Sequence, residues 1–381
     1  MTRMMHRTAG FSLIELMIAM TIGLLLLSGL AMIFVNSSDS NRELQKTAQQ
    51  IENGRYAVEI ISQDLRLAGF YGHLHDISSI TVPATVPPDP CEDSDTNELL
   101  KSLRYPVQGY RGTIHATTPA SNTDPTGLPA ACTGAFLTAA NLKNGSDVLV
   151  IRRADTNALL TTETATSNVL FVQASATQAE IQLGNGAVIG NNKADGATSA
   201  LYLTNGATPA PPAPMRRLRV HIYFVAPCSI GSAANGACTG AAGEDTIPTL
   251  KRLELTASGT FTIVPLVEGI EFLKVEYGVD DSPSTVNLAT GLSGDANVDR
   301  YEIAPTGGEW ESVISAKIYL LARNTEPTRG FTDTKTYNLG SAAATDNITV
   351  PAATGAEVEF KRHVYAAAVY MINPAGRREI P

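Results

Sequence analysis

Phe11 to Val35 reads FSLIELMIAMTIGLLLLSGLAMIFV, 25 residues with a single ionisable side chain, Glu15. As a helix this run is about 37 Å long, enough to cross a hydrocarbon core of about 30 Å with some tilt. Arg3 and Arg7 precede it, and positive charge on that flank keeps the N-terminus cytoplasmic and sends the residues after 36 outward. A secretory signal has a shorter apolar region, with a small-residue cleavage site after it. Here the small residue, Gly10, comes before it. A plain signal anchor accounts for the length and the flanking charge but not for Glu15, because a lone carboxylate in a bilayer costs about 2.5 kcal/mol or more.

Gly10-Phe11-Ser12-Leu13-Ile14-Glu15, with a basic stretch before it and an apolar helix after it, resembles the class III signal of type IV prepilins and type II secretion pseudopilins. The resemblance implies that a membrane prepilin peptidase and methyltransferase cuts after Gly10 and methylates Phe11. The apolar segment then remains as membrane anchor and filament core. It also implies that Glu15 pairs with the new ammonium at Phe11 of a neighbouring subunit, which would make the buried charge tolerable. Ala19 and Gly23, one turn apart, are either a close helix-packing pair or ordinary small residues in an apolar helix.

The first proline is Pro83, so nothing obliges the helix to break before then. From Asn36 to Gly69 the chain is amphipathic. Val58, Ile61, Leu65 and Ala68 make one apolar face, and Arg55, Glu59, Asp64 and Arg66 take other positions. Gly54 is a point where the helix could loosen. Gly69 and Gly72 are stop signals. The expected fold is therefore α+β, a long N-terminal helix packed on a large, loop-rich, mainly antiparallel β domain. Its parts are 1–10, a leader; 11–35, a membrane span; 36–72, the amphipathic continuation; and 73–381, an exported β-rich region.

After residue 80 the chain has the character of short strands between Gly/Pro/Ser/Thr loops. The strand candidates are Asp147–Arg153, Asn168–Gln173, Ala179–Gly184, Leu218–Val225 and Arg252–Thr256. Asn205–Met215 (NGATPAPPAPM) reads as an irregular connection that divides the β region in two. Cys91, Cys132, Cys228 and Cys238 all lie beyond the apolar run, and an even number there fits disulfides made in an oxidising compartment. Pairing Cys91 with Cys132 and Cys228 with Cys238 is the simplest arrangement, though three are compatible with four cysteines.

The order RYAVEIISQDLRLAGFYG (55–72), LVEGIEFLKVEYGVD (266–280), Trp310, VISAKIYLL (313–321) and KRHVYAAAVYM (361–371) looks like the PilW family of minor pilins, related to the J-type pseudopilins. That resemblance implies a structural and assembly subunit, not an enzyme. It would join other minor pilins near the filament tip, prime the major pilin and meet the inner-membrane assembly platform. Its route runs from the bacterial inner membrane, with the β domain periplasmic, to the pilus on the cell surface. Alternatives are a J-type pseudopilin of type II secretion, a tip adhesin or DNA-uptake module, and a membrane-anchored domain that never enters a filament.

Signatures of chemistry are few. The chain has no G-x-S-x-G, no Walker loop and no H-E-x-x-H, and no catalytic residue, cofactor or metal is expected. Gly184, Gly186 and Gly190 miss dinucleotide spacing and read as a turn. His73 and His75 read as solvent-facing. Asp295, Asn297 and Asp299, with Asp280 and Asp281 upstream, open like a calcium loop but lack its Gly and terminal Glu. A net charge of −9 gives nucleic acid no general attraction. Arg216, Arg217 and Arg219, echoed by Arg377 and Arg378, read as a solvated face more readily than a DNA site.

Overall fold

The computed structural model describes residues 10, 12–77, 80, 87–115, 122–158, 166, 168–184, 186, 201–203, 211–256, 259–282, 294–340, 347–349 and 356–379. Helix α1 spans Leu13–Leu67, and the chain divides into two units, Met1–Gln49 and Gln50–Pro381. In the first unit every large apolar side chain from Leu13 to Val35 is exposed. Among the described residues, α1 is the one helix long and apolar enough to cross a membrane.

Helix α1 stops where the glycine signal falls. Gly69 has φ +72° and its N–H donates to Arg152 O at 2.9 Å. A side chain there would be strained by the backbone and would also meet Arg377 Nη2 at 2.5 Å, so position and space both call for glycine.

Beyond α1 come α2 (Thr96–Ser102), β1 (Val107–Tyr110), α3 (Ala130–Ala135), β2 (Val148–Ala154), β3 (Leu170–Ala174), β4 (Ala179–Leu183) and β5 (Met215–Ala226). Then follow β6 (Thr249–Leu255), β7 (Phe261–Glu268), β8 (Ile270–Val279), β9 (Arg300–Glu302), β10 (Val313–Arg323), β11 (Thr336–Asn338), β12 (Asn347–Thr349), β13 (Arg362–Tyr370) and α4 (Ile372–Arg378). One seven-stranded antiparallel sheet runs β1-β2-β5-β3-β4, with β6 on β5 and β7 on β6; a four-stranded sheet runs β13-β10-β8-β9; β11 and β12 pair separately. The fold is α+β, as the residue pattern implied.

Strand periodicity assigns the two cores. In β2, Val148 and Val150 enter one core while Leu149 and Ile151 enter the other; in β5, Ile222 and Phe224 oppose Tyr223 and Val225. A strand buried on both faces loses its polar alternation, which is why the second half of β5, Ile222 to Ala226, reads as a continuous apolar run. The first core also holds both disulfides, Cys91–Cys132 and Cys228–Cys238. The second lies between the two sheets and takes the apolar face of α1.

That face is Ala57, Ile61, Leu65 and Ala68, all fully buried, with Val58 only half-buried. Two expectations along α1 need correction. Gly54 is no loosening point: a Cβ there would stand 2.2 Å from Cε2 of Tyr365, so the glycine admits the ring against the helix. Asp64 does not sit among the exposed charges with Arg55, Glu59 and Arg66, because it is 6% exposed and faces the core.

Of the expected connection at 205–215, residues 205–210 lie outside the described residues. β4 and β5, the strands before and after it, both belong to the seven-stranded sheet, and the change to the four-stranded sheet falls at Gly269, the turn between β7 and β8. Pro374 and Gly376 hid α4 in the sequence. Its Asn373 and Arg377 donate to the carbonyls of Ala68 and Gly69 at 3.1 and 3.0 Å, covering the end of α1, where unpaired carbonyls favour cationic and amide donors.

Candidate functional site

At the head of α1, Gly10 is exposed; the leader residues 1–9 and Phe11 lie outside the described residues. The Ser12 N–H donates to Glu15 Oε2 at 3.0 Å, and the Glu15 N–H donates to Ser12 Oγ at 3.2 Å. This reciprocal pair is a capping box, satisfying two of the free N–H groups at a helix start. Glu15 is therefore not the wholly unpaired carboxylate that residue type alone suggested. The sequence carries the signal for it, S-x-x-E before an apolar run, which marks a helix start. One carboxylate offers about four acceptor positions, so capping leaves room for a second, charged donor. Negative charge at this end also opposes the positive pole of the helix.

From Gln50 onward α1 is seated on the β region by polar contacts as well as apolar ones. Gln50 Nε2 donates to Ala322 O at 2.9 Å and Lys361 O at 3.0 Å, and Asn53 Nδ2 donates to Glu268 O at 3.0 Å. Asp64 receives Arg153 Nε at 2.7 Å, Tyr223 OH at 3.0 Å and the His221 ring at 2.6 Å. Burial alone would raise the Asp64 carboxyl, but His221 and Arg153 outweigh it and hold the group well below the usual carboxylate range. Burial and the Asp64 charge push the Tyr223 hydroxyl far up. The constellation joins α1 to β2 and β5 at residues almost closed to solvent. Its chemistry is that of a fastening.

The remaining candidates are dispersed. His73 and His75 are exposed. Asp295 accepts from the Asn297 N–H at 2.9 Å, Asp299 from the Asp281 N–H at 2.7 Å, and buried Asp280 from Arg378 at 2.8 Å. Arg300 binds Asp281 at 2.7 Å. Protein donors thus occupy the acids that resembled a calcium loop. Asp89, Cys91 and Cys132 lie close enough to hold a metal, but both sulfurs are spent in the disulfide between them, and a thiolate is what a metal needs.

The basic cluster corrects an expectation. Arg219 pairs with Asp155 at 2.8 Å, Arg216 donates to Asp155 O at 3.1 Å and lies over the Phe70 ring, and Arg378 is buried on Asp280. These arginines tie loops to strands instead of forming a solvated face.

Two family models match the chain. Residues 5–31 match the prokaryotic N-terminal methylation motif, which takes in Gly10, Phe11, Glu15 and most of the apolar run. Residues 230–373 match type IV pilus-assembly protein W (PilW), the stretch that carries β6 to β13. The chain carries a prepilin signal and a PilW-family region. Together they support a type IV pilus-related minor pilin, anchored in a membrane through its N-terminal helix and dealing with the pilus machinery and a prepilin peptidase. Pilin-family domains are structural, not enzymatic. Comparison with curated proteins and with solved structures returns no match.

Proposed function

We propose that this PilW-like chain is a minor pilin that enters a type IV filament through α1 and helps prime its assembly near the tip, beside other minor pilins. Cleavage after Gly10 would free the amino group of Phe11, and methylation would leave it cationic. The observation that carries the reading is Glu15, capped by Ser12 at the head of an apolar span exposed along its whole length.

The capping box meets part of the carboxylate's need while the subunit waits in the bilayer. The ammonium of a neighbouring Phe11 supplies the opposite charge on assembly, as buried charges require. The pairing would select for docking and set the axial stagger between subunits. Arg3 and Arg7 favour a cytoplasmic N-terminus, and two disulfides favour an oxidising, periplasmic setting for the β region. A large domain suits the tip, where its bulk need not repeat with every subunit.

N-terminal sequencing of the protein from cells with an active prepilin peptidase tests the first step. A chain that begins at methylated Phe11 is expected, and blocking Gly10 should leave the uncleaved form in the inner membrane. A mature chain that still begins before Phe11 would sink the reading.

A further inference from the structure

Sheet edges expose unpaired backbone groups, and proteins blunt them with short strands, proline, bulges, charge or a cover. Most edges here are blunted. β1 and β9 are four and three residues long, α2 packs along β4, and β7 carries Pro265 beside a register shift in its pairing with β6. β13 differs. It is nine residues long, pairs with β10 in unbroken register from Ser315↔Tyr370 to Arg323↔Arg362, and has neither proline nor charge from Val364 to Tyr370.

Two bonds set the phase of that edge. Asn324 N donates to Lys361 O at 3.1 Å and Met371 N to Ile314 O at 2.8 Å, so the odd-numbered residues of β13 face β10. Val364, Ala366, Ala368 and Tyr370 therefore aim their N–H and C=O groups away from the sheet. Among the described residues no backbone bond meets them. Ala366 and Ala368 are exposed, Tyr370 is 47% exposed, and Ile372 just beyond is 66% exposed.

We propose that the outer edge of β13 is a strand-addition site for an extended segment of a different subunit of the filament, an inference that rests on reading this chain as a filament subunit. The alternating donors and acceptors at 364, 366, 368 and 370 fit an antiparallel or parallel backbone and little else. Small side chains at 366 and 368 leave room for the incoming strand's own side chains, and Tyr370 with Ile372 offers an apolar stop for one of them. A second copy of this chain is the wrong occupant. Antiparallel pairing of β13 with itself needs a two-fold axis, and such an interface closes on itself without propagating along a polar filament.

The test is amide hydrogen exchange on the mature full-length chain, in detergent and in isolated filaments, with Ala368→Pro as the variant. Proline at 368 removes an outward N–H and leaves the ladder with β10 intact. The outward amides of 364, 366, 368 and 370 should exchange at least about tenfold more slowly in filaments. Ala368→Pro should keep its Tm yet enter filaments about fivefold less well. Should it misfold, Ala366→Lys puts a charge on the edge and should act alike. Unchanged exchange in filaments, or normal entry by a folded variant, overturns the proposal. So does slowing in detergent that grows with protein concentration, the mark of two copies pairing. A chain that enters filaments with β13 freely exchanging defeats this inference alone; a chain excluded from filaments defeats the pilin reading with it.

Discussion

Helix α1 carries two apolar stretches of opposite fate, one apolar all round and one apolar on a single face. From Leu13 to Val35 nothing in its own unit covers the side chains, whereas Ala57, Ile61, Leu65 and Ala68 are fully buried in the second core. Gln50 and Asp64 fasten the buried stretch to the β strands, whereas among the described residues the polar bonds along the exposed one, its capping box among them, stay within the helix. Apolar residues alone thus do not decide burial; a helix face docks where its polar and small residues also find partners. In a bilayer or a filament the exposed stretch would be solvated by lipid or by other helices, where apolar contacts discriminate little and one carboxylate discriminates a great deal.

The contrast can be broken most sharply at Asp64. Replacing it with Ala strands Arg153 and His221 in a nearly closed site, and denaturant unfolding of the mature protein should show a loss of about 3–5 kcal/mol. A loss below about 1 kcal/mol would mean that the polar anchors do not seat the helix. Ile61→Ala should cost about 2–5 kcal/mol by the same assay, as a cavity in a closed core does. Its counterpart Leu25→Ala in the exposed stretch should stay within about 0.5 kcal/mol, and equal effects at the two positions would erase the distinction. Gly54→Ala drives a methyl into the Tyr365 ring and should cost about 1–3 kcal/mol, with part of it returned by Tyr365→Leu in the double variant.

The pH dependence sharpens the same point. Asp64 has its carboxyl depressed in the folded state, so its contribution is complete above the unfolded value of about 3.9 and is lost as pH falls toward the folded one. The gap in stability between the wild type and Asp64→Asn should be flat above about pH 5 and should narrow below about pH 4. A gap that widens on acidification would reverse the assignment.

Much of this was legible in the residues. The long helix, its stop at Gly69 and strands β2 to β6 follow from periodicity and from one residue that tolerates positive φ. Illegible were the features set by contacts distant in sequence. Gly54 reads as a weak point until Tyr365, from β13, is placed against it. Asp64 reads as a surface charge until β2 and β5 bring Arg153 and His221 to it. Yet Asp64 follows Ile61 by three residues, which puts it at the rim of the buried face. The Ser12–Glu15 box was local and could have been read. Helix α4 could not, since a Pro and a Gly within seven residues argue against a helix that is sustained by contacts distant in sequence, with the end of α1, with β10 and with Asp280.

The central claim is that the carboxylate heading the exposed span works between subunits. Glu15→Ala, expressed in cells with an active peptidase and scored for N-terminal processing and for recovery in sheared filaments, tests it most directly. Processing at Gly10 should be normal, while incorporation of the chain, or priming of the filament, should fall sharply. Normal processing together with normal assembly would contradict the account and leave Glu15 as a helix cap alone.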